Sequence, residues 1–295
     1  MMKYSLLICT LLLPVLLISQ SPLSETCLTN HPGNDRYGSY SPDGKSIIFE
    51  TDRHGSWDIY LLDLTSGEQR PITFSPQNER RPSWHPSGRS IIFEIENNEG
   101  IDLYEHDLFI GLSKKLLREP QLGGSPMFAR YAPSGKFLAY SLQKSEDRIS
   151  VRIYDLEKKK HLTLSDNDFR NVYPMWSPDG NYLLLFSRKD TRNEDDEIYR
   201  INLKNGKWKR LTRWPQHNFC PAWSPDGEQI AYVTSMEDIR PEIYIMNKNG
   251  RKKKRITRNE DGDTLPMWSP DGQKLLITAF RNGNFELCEI DLTLE

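Results

Sequence analysis

Six copies of one turn signal, almost evenly spaced, set the limits on what this chain can fold into. They read SPDG at 41–44, HPSG at 85–88, APSG at 132–135, and SPDG at 177–180, 224–227 and 269–272. Successive copies lie 44, 47, 45, 47 and 45 residues apart. A period of that size, with several short apolar runs inside each unit, points to a β-propeller with one blade per repeat.

The units share one internal order. An aromatic residue precedes each turn (Tyr40, Trp84, Tyr131, Trp176, Trp223, Trp268), where it can fill the space between blades. Pro and Asp or Ser set the turn, and Gly supplies the positive φ that it needs. An apolar strand follows, such as Ile47-Ile48-Phe49 or Leu275-Leu276-Ile277, rich in the β-branched and aromatic residues that suit a pleated surface. A third strand begins at Asp58-Ile59-Tyr60, Asp102-Leu103-Tyr104, Arg152-Ile153-Tyr154, Glu197-Ile198-Tyr199, Glu242-Ile243-Tyr244 and Glu286-Leu287-Cys288. A fourth ends in Ile72-Thr73, Leu116-Leu117, Leu162-Thr163, Leu211-Thr212 or Ile256-Thr257. The expected fold is all-β, with six blades of four antiparallel strands.

The last repeat contains only three strands, and Cys27-Leu28-Thr29 reads as its fourth. Thr29 lies 14 residues before Asp43, the offset of Thr73 to Ser87 and of Thr212 to Asp226. The ring is therefore expected to close by pairing an N-terminal strand with the C-terminal blade, which removes the exposed sheet edges. Residues 25–295 form one propeller in this reading. Cys27 and Cys288 fall on adjacent strands of the closing blade, within about two positions in register, and are candidates for a disulfide. Cys220 reads as a small core residue.

Residues 1–24 differ in kind. Lys3 precedes an apolar stretch from Leu6 to Ile18 that Pro14 interrupts. That is the layout of a secretory signal peptide, and the run is short for a transmembrane helix; an uncleaved anchor is the alternative. After cleavage no membrane span is expected. The formal charge of −2 lacks the basic excess of a general nucleic-acid binder. Clusters such as Lys158-Lys159-Lys160 fall on hairpin turns, as solvated charge.

The pattern P-x-W-S-P-D-G, followed by an apolar strand, a (D/E)-I-Y strand and a (R/K)-(L/I)-T ending, resembles the TolB-type propeller repeat of bacterial envelope proteins. The matches at 174–180, 221–227 and 266–272 carry the resemblance most clearly. It implies a periplasmic propeller that serves as a platform for a partner protein or peptide. The chain has no room for the extra α/β domain that precedes the TolB propeller, a departure that leaves membership of the Tol system proper open.

No G-x-S-x-G elbow occurs, which argues against a serine hydrolase. The six histidines are scattered without H-x-H or H-E-x-x-H spacing, so no metal, cofactor or catalytic residue is assigned. Related propellers that act as oligogalacturonate lyases build their site at the central channel from several blades. A glycan lyase or hydrolase with a metal or a His/Arg/carboxylate site therefore remains the alternative to a non-catalytic scaffold.

By analogy with other propellers, binding is expected where the loops that precede each first strand meet the loops joining second and third strands. Counting back five positions from each aromatic gives Asp35, Glu79, Pro126, Asn171, Asn218 and Asp263. Neighbouring positions add Arg36, Arg80, Arg81, Arg130, Tyr173, His217, Phe219 and Asp261, a mixed-charge ring with aromatics suited to a peptide segment or a sugar. Longer loops at 143–148 and 188–196 mark one side of the ring as specialised. The protein is expected to be a monomeric ring.

Overall fold

The computed structural model describes residues 23–117, 122–165, 169–191, 195–213, 217–235 and 240–293. All but the last two residues of the expected leader lie outside that set. The described chain forms six four-stranded antiparallel sheets, one per repeat. The first strands of the blades are Asp35–Tyr40, Asn78–Trp84, Ser125–Tyr131, Asn171–Trp176, Asn218–Trp223 and Asp263–Trp268. Each touches the first strands of both neighbours, so together they line the ring. In the last sheet the strand Glu25–Cys27 pairs with Asn284–Asp291, and Cys27 stands directly opposite Cys288. Their sulfurs are joined, 1.97 Å apart, across 261 residues of sequence.

Alternation along the second strand distributes each blade's apolar side chains to both neighbours. Ile47 and Phe49 pack with Leu276 and Leu287 of the last blade. Ile48, between them, packs with Ile91, Phe93 and Ile95 of the next. A blade is thus a sheet with two buried faces and no independent core.

The repeat motifs are explained by polar ties. At 177–180, Ser177 Oγ donates to Asp179 at 2.5 Å and accepts the Tyr182 N–H at 2.9 Å. Gly180 has a φ of 70°, which glycine adopts without steric cost. The tryptophan before the turn links blades: Trp84, Trp176 and Trp268 donate from Nε1 to the carbonyls of Ser39, Arg130 and Ala222 in the preceding blade, at 2.9, 3.1 and 3.2 Å.

The two downstream motifs meet in one knot at the opposite edge. Thr212 Oγ1 accepts the Ile198 N–H at 2.9 Å and donates to the Glu197 carboxylate, which also takes Arg210 at 2.7 Å. Thr257 with Glu242, and Thr29 with Glu286, repeat the arrangement. The third blade departs from the expected alignment. Its third strand begins at Ile149, and Val151 donates to Ser165 Oγ at 2.7 Å. Ser165 therefore takes the place expected for Thr163, and Val151 that of Ile153, because the strand starts earlier relative to its hairpin turn.

Candidate functional site

Every first strand carries a β-bulge, after its third residue in the second and third blades and after its second in the other four. The residue at each bulge is left-handed: Tyr37, Arg81, Phe128, Tyr173, Cys220 and Leu265 have φ between 47° and 64°. In four blades the next residue is Pro, tolerated there because the register shift releases it from the ladder. A bulge re-aims its side chain, and here six of them converge on the axis. The Tyr37 ring of the first blade lies 6.3 Å from that of Phe128 in the third. Phe128 lies 5.5 Å from Tyr173 in the fourth. Tyr173, Cys220 of the fifth blade and Leu265 of the sixth belong to one buried apolar cluster, against which Tyr37 and Phe128 pack. Side chains thus close the middle of the channel. Burial pushes the Cys220 thiol up to about 12 and raises both tyrosines, so these groups are neutral near pH 7.

Arg81 is the exception on the axis. Burial opposes its charge, but Glu94, Tyr37 and Glu50 hold it protonated. It pairs with Glu94 and lies over the Phe128 ring, 4.7 Å from its centroid. On the side of the bulges nearer the loops, the residue just before each bulge pairs in register with the second strand. The pairs are Arg36 with Glu50, Arg80 with Glu94, Met127 with Ser141, Val172 with Phe186, Phe219 with Val233, and Thr264 with Thr278. Among these pairs, charge is therefore confined to the first two blades. Glu50, fully buried, accepts Arg36 at 3.1 Å and Arg80 at 3.4 Å on one oxygen, and the Arg81 N–H at 2.8 Å on the other. Trp57, from the loop joining the second and third strands of the first blade, has the Arg36 and Arg80 guanidiniums 4.1 and 5.0 Å from its ring centroid.

The TolB beta propeller domain (PD40) matches this chain over residues 14–147 and 192–294. The chain belongs to the TolB β-propeller family. Among curated relatives it is similar to the uncharacterized peptidase YuxL of Bacillus subtilis, 30% identical over 112 residues, which is 36% of this chain and 17% of that protein. It is also similar to the Tol-Pal system protein TolB of Francisella tularensis, 33% identical over 76 residues, 26% of this chain and 17% of that one. These matches span about a sixth of either relative's length. Among solved structures, TolB from Acinetobacter baumannii superposes with a TM-score of 0.66 at 18% identity, covering 89% of this chain and 64% of that one. Oligogalacturonate lyase from Vibrio parahaemolyticus does so with 0.65 at 15%, covering 92% and 94%. At such identities the likeness shows the shared propeller fold.

Within this TolB-type ring, the positions found by counting back from the aromatic are structural anchors. Asp35 is fully buried and held by Arg53 at 3.1 Å; Asp263, equally buried, is held by Arg281 at 2.8 Å and Asn259 at 2.6 Å. Burial raises both carboxyls above their ordinary range, against the pull of those arginines. Asn171 bonds Ser187 at 2.8 Å inside its own blade, and Asn218 bonds Glu197 of the preceding blade at 3.4 Å. Glu79 and Pro126 are buried as well. Arg130, 9% exposed, lies past the bulge and donates to the Ala129 carbonyl.

Asp261 and His217 are exposed on loops. His217 Nδ1 stands 3.6 Å from Asp196, which also takes Arg170 and Arg188. The other histidines bond separate neighbours. Glu25, Cys27 and Cys288 bring metal-ligating atoms together, but the disulfide leaves no thiolate there. The structure thus brings Arg36, Arg80 and Arg81 together and leaves Asp263, Asn171 and Asn218 apart from them. Counting missed Glu50, Glu94 and Trp57. The signal for the first two was the repeated Ser-Ile-Ile-Phe-Glu at 46–50 and 90–94, a carboxylate at the end of an otherwise apolar strand.

Proposed function

We propose that the chain is an exported, non-catalytic scaffold of the bacterial envelope that binds a partner protein or peptide through the loop-rich mouth of the ring. The observation that carries this is the filled channel axis, whose groups are neutral except for the Arg81–Glu94 pair, beneath partly exposed arginines stacked on Trp57. Such a surface offers contact area and directed donors, the features of interface hot spots, and on the axis no free acid/base pair. The apolar run from Leu6 to Ile18 and the Tol-Pal name of one set of relatives support a periplasmic setting. Among the described residues no helix is long and apolar enough to cross a membrane.

Crosslinking mass spectrometry on the protein in its native envelope tests this reading. We expect one reproducible partner, attached at loops around Trp57 and Arg80, with the ring itself monomeric. A partner mapping only to the SPDG-turn face would refute it. The second reading is a glycan lyase or hydrolase, and it draws on the His217–Asp196 contact with its two arginines. Turnover of an acidic oligosaccharide that is lost in His217→Ala, or stoichiometric divalent metal in the purified protein, would favour that reading over the first.

A further inference from the structure

In a ring built from repeats, a purely structural polar tie recurs from blade to blade, as the threonine knot does. The Arg36–Glu50 and Arg80–Glu94 pairs do not recur; four blades place Met, Val, Phe and Thr at the arginine position. A local departure from the repeat marks a place where something other than folding sets the residues.

The donors in this cluster exceed its acceptors. Arg36 and Arg80 each donate one side-chain bond among the described residues, both to the same oxygen of Glu50. Arg81 donates to Glu94, whose second oxygen takes the Phe128 N–H at 2.7 Å. Both carboxylates thus have both oxygens engaged. The Nε atoms of all three arginines are buried without a partner, although a buried N–H is costly to leave unbonded. Three guanidiniums face two carboxylates whose four oxygens each already accept a bond, and the side chains of Arg36 and Arg80 keep 23% and 24% exposure toward the mouth.

We propose that this junction of the first and second blades binds a carboxylate carried by an acidic peptide segment, with Arg36 and Arg80 as its ligands. The inference rests on the scaffold reading and adds the partner's chemistry. A planar, always-charged fork suits a carboxylate. A peptide fits better than a uronic-acid glycan, because sugar hydroxyls need acceptors as well as donors, and each carboxylate oxygen in the cluster already accepts at least one bond.

The test is isothermal titration calorimetry of the purified full chain with a capped tetra-aspartate peptide, its asparagine counterpart and tetragalacturonate. We expect saturable binding of the aspartate peptide, weakened by added salt, and at least about tenfold weaker binding of the asparagine peptide. Arg80→Gln leaves Arg36 on Glu50, so the buried carboxylate keeps a partner, and this variant should bind about tenfold more weakly. Its circular dichroism reports whether it is folded. Should it unfold, Arg36→Gln, which leaves Arg80 on Glu50, gives the same reading. Equal affinity for both peptides, no saturable binding, affinity unchanged in the folded variant, or tighter binding of tetragalacturonate would each overturn the proposal. A partner crosslinked at this mouth without any affinity for the aspartate peptide would refute the acidic ligand and leave the scaffold reading standing.

Discussion

Replacing Thr212 by Val tests whether the threonine knot holds each blade together. Thr212 is fully buried, as is Glu197, which accepts the hydrogen bond from its hydroxyl. Valine has nearly the same shape, so packing is kept and only polar contacts are lost. Two groups are stranded: the Ile198 N–H, which loses its acceptor at 2.9 Å, and a buried carboxylate that retains Arg210 but loses a donor. An unsatisfied buried donor costs about 1–3 kcal/mol and a bond to a charged group is worth about 1.5–3 kcal/mol, so about 3 kcal/mol is a moderate sum after relaxation. In a large domain each 1 kcal/mol moves Tm by roughly 2 °C, so the drop should be about 6 °C. Scanning calorimetry of Thr212→Val beside Thr212→Ser measures it. The serine variant keeps the hydroxyl and should recover most of the loss. A valine variant within about 1 °C of the parent, or a serine variant equally damaged, would refute the reasoning. The second blade is a natural comparison, since Leu117 occupies its threonine position and the register shifts beside Leu103.

Replacing both Cys27 and Cys288 by serine should destabilise the ring by up to about 5 kcal/mol, because the bond closes a very long loop in the unfolded chain; with the bond intact, thiol titration of residues 25–295 in denaturant should find Cys220 alone. Trp176→Phe should cost about 1 kcal/mol more than Trp223→Phe, because Trp176 bonds the preceding blade whereas Trp223 Nε1 is buried without a partner; equal urea midpoints would contradict this. The bond from Ser177 holds the Asp179 carboxyl below its ordinary range. Its contribution is therefore present above about pH 4 and lost as pH falls through the lower folded value. Asp179→Asn should flatten the acid limb of the urea midpoint against pH, and an unaltered slope would count against the turn's role.

The fold was legible because its strongest local signal, the Ser-Pro-Asp-Gly turn, repeats with a period that only a ring of blades accommodates. Thr29 was recognisable as the closing residue from its offset to Asp43. The third blade was misaligned because Arg152-Ile153-Tyr154 imitates the motif that Ser150-Val151 occupies in space. The site was less legible. Counting from the aromatic finds residues at equal height, but equal height includes Asp35 and Asp263, which tie loops to strands inside the blades. What separates anchor from site is the direction of the side chain, and alternation turns Asp35 inward while Arg36 faces Glu50 and Trp57. The left-handed bulge also escaped the reading. The residue before each proline looks like an ordinary strand position until two residues of the first strand are seen to oppose one of the second.

The pairing of Glu25–Cys27 with Asn284–Asp291 has a consequence for the order of folding. Five blades are built from neighbouring hairpins, whose short loops close quickly. The sixth needs two ends more than 250 residues apart to find each other, as the Thr29 to Leu287 bond spans 258. Until they meet, the strand at 284–291 is an unpaired edge, open to the same segment of another copy. The concentration at which refolding yields rings rather than exchanged oligomers is therefore set at this one seam.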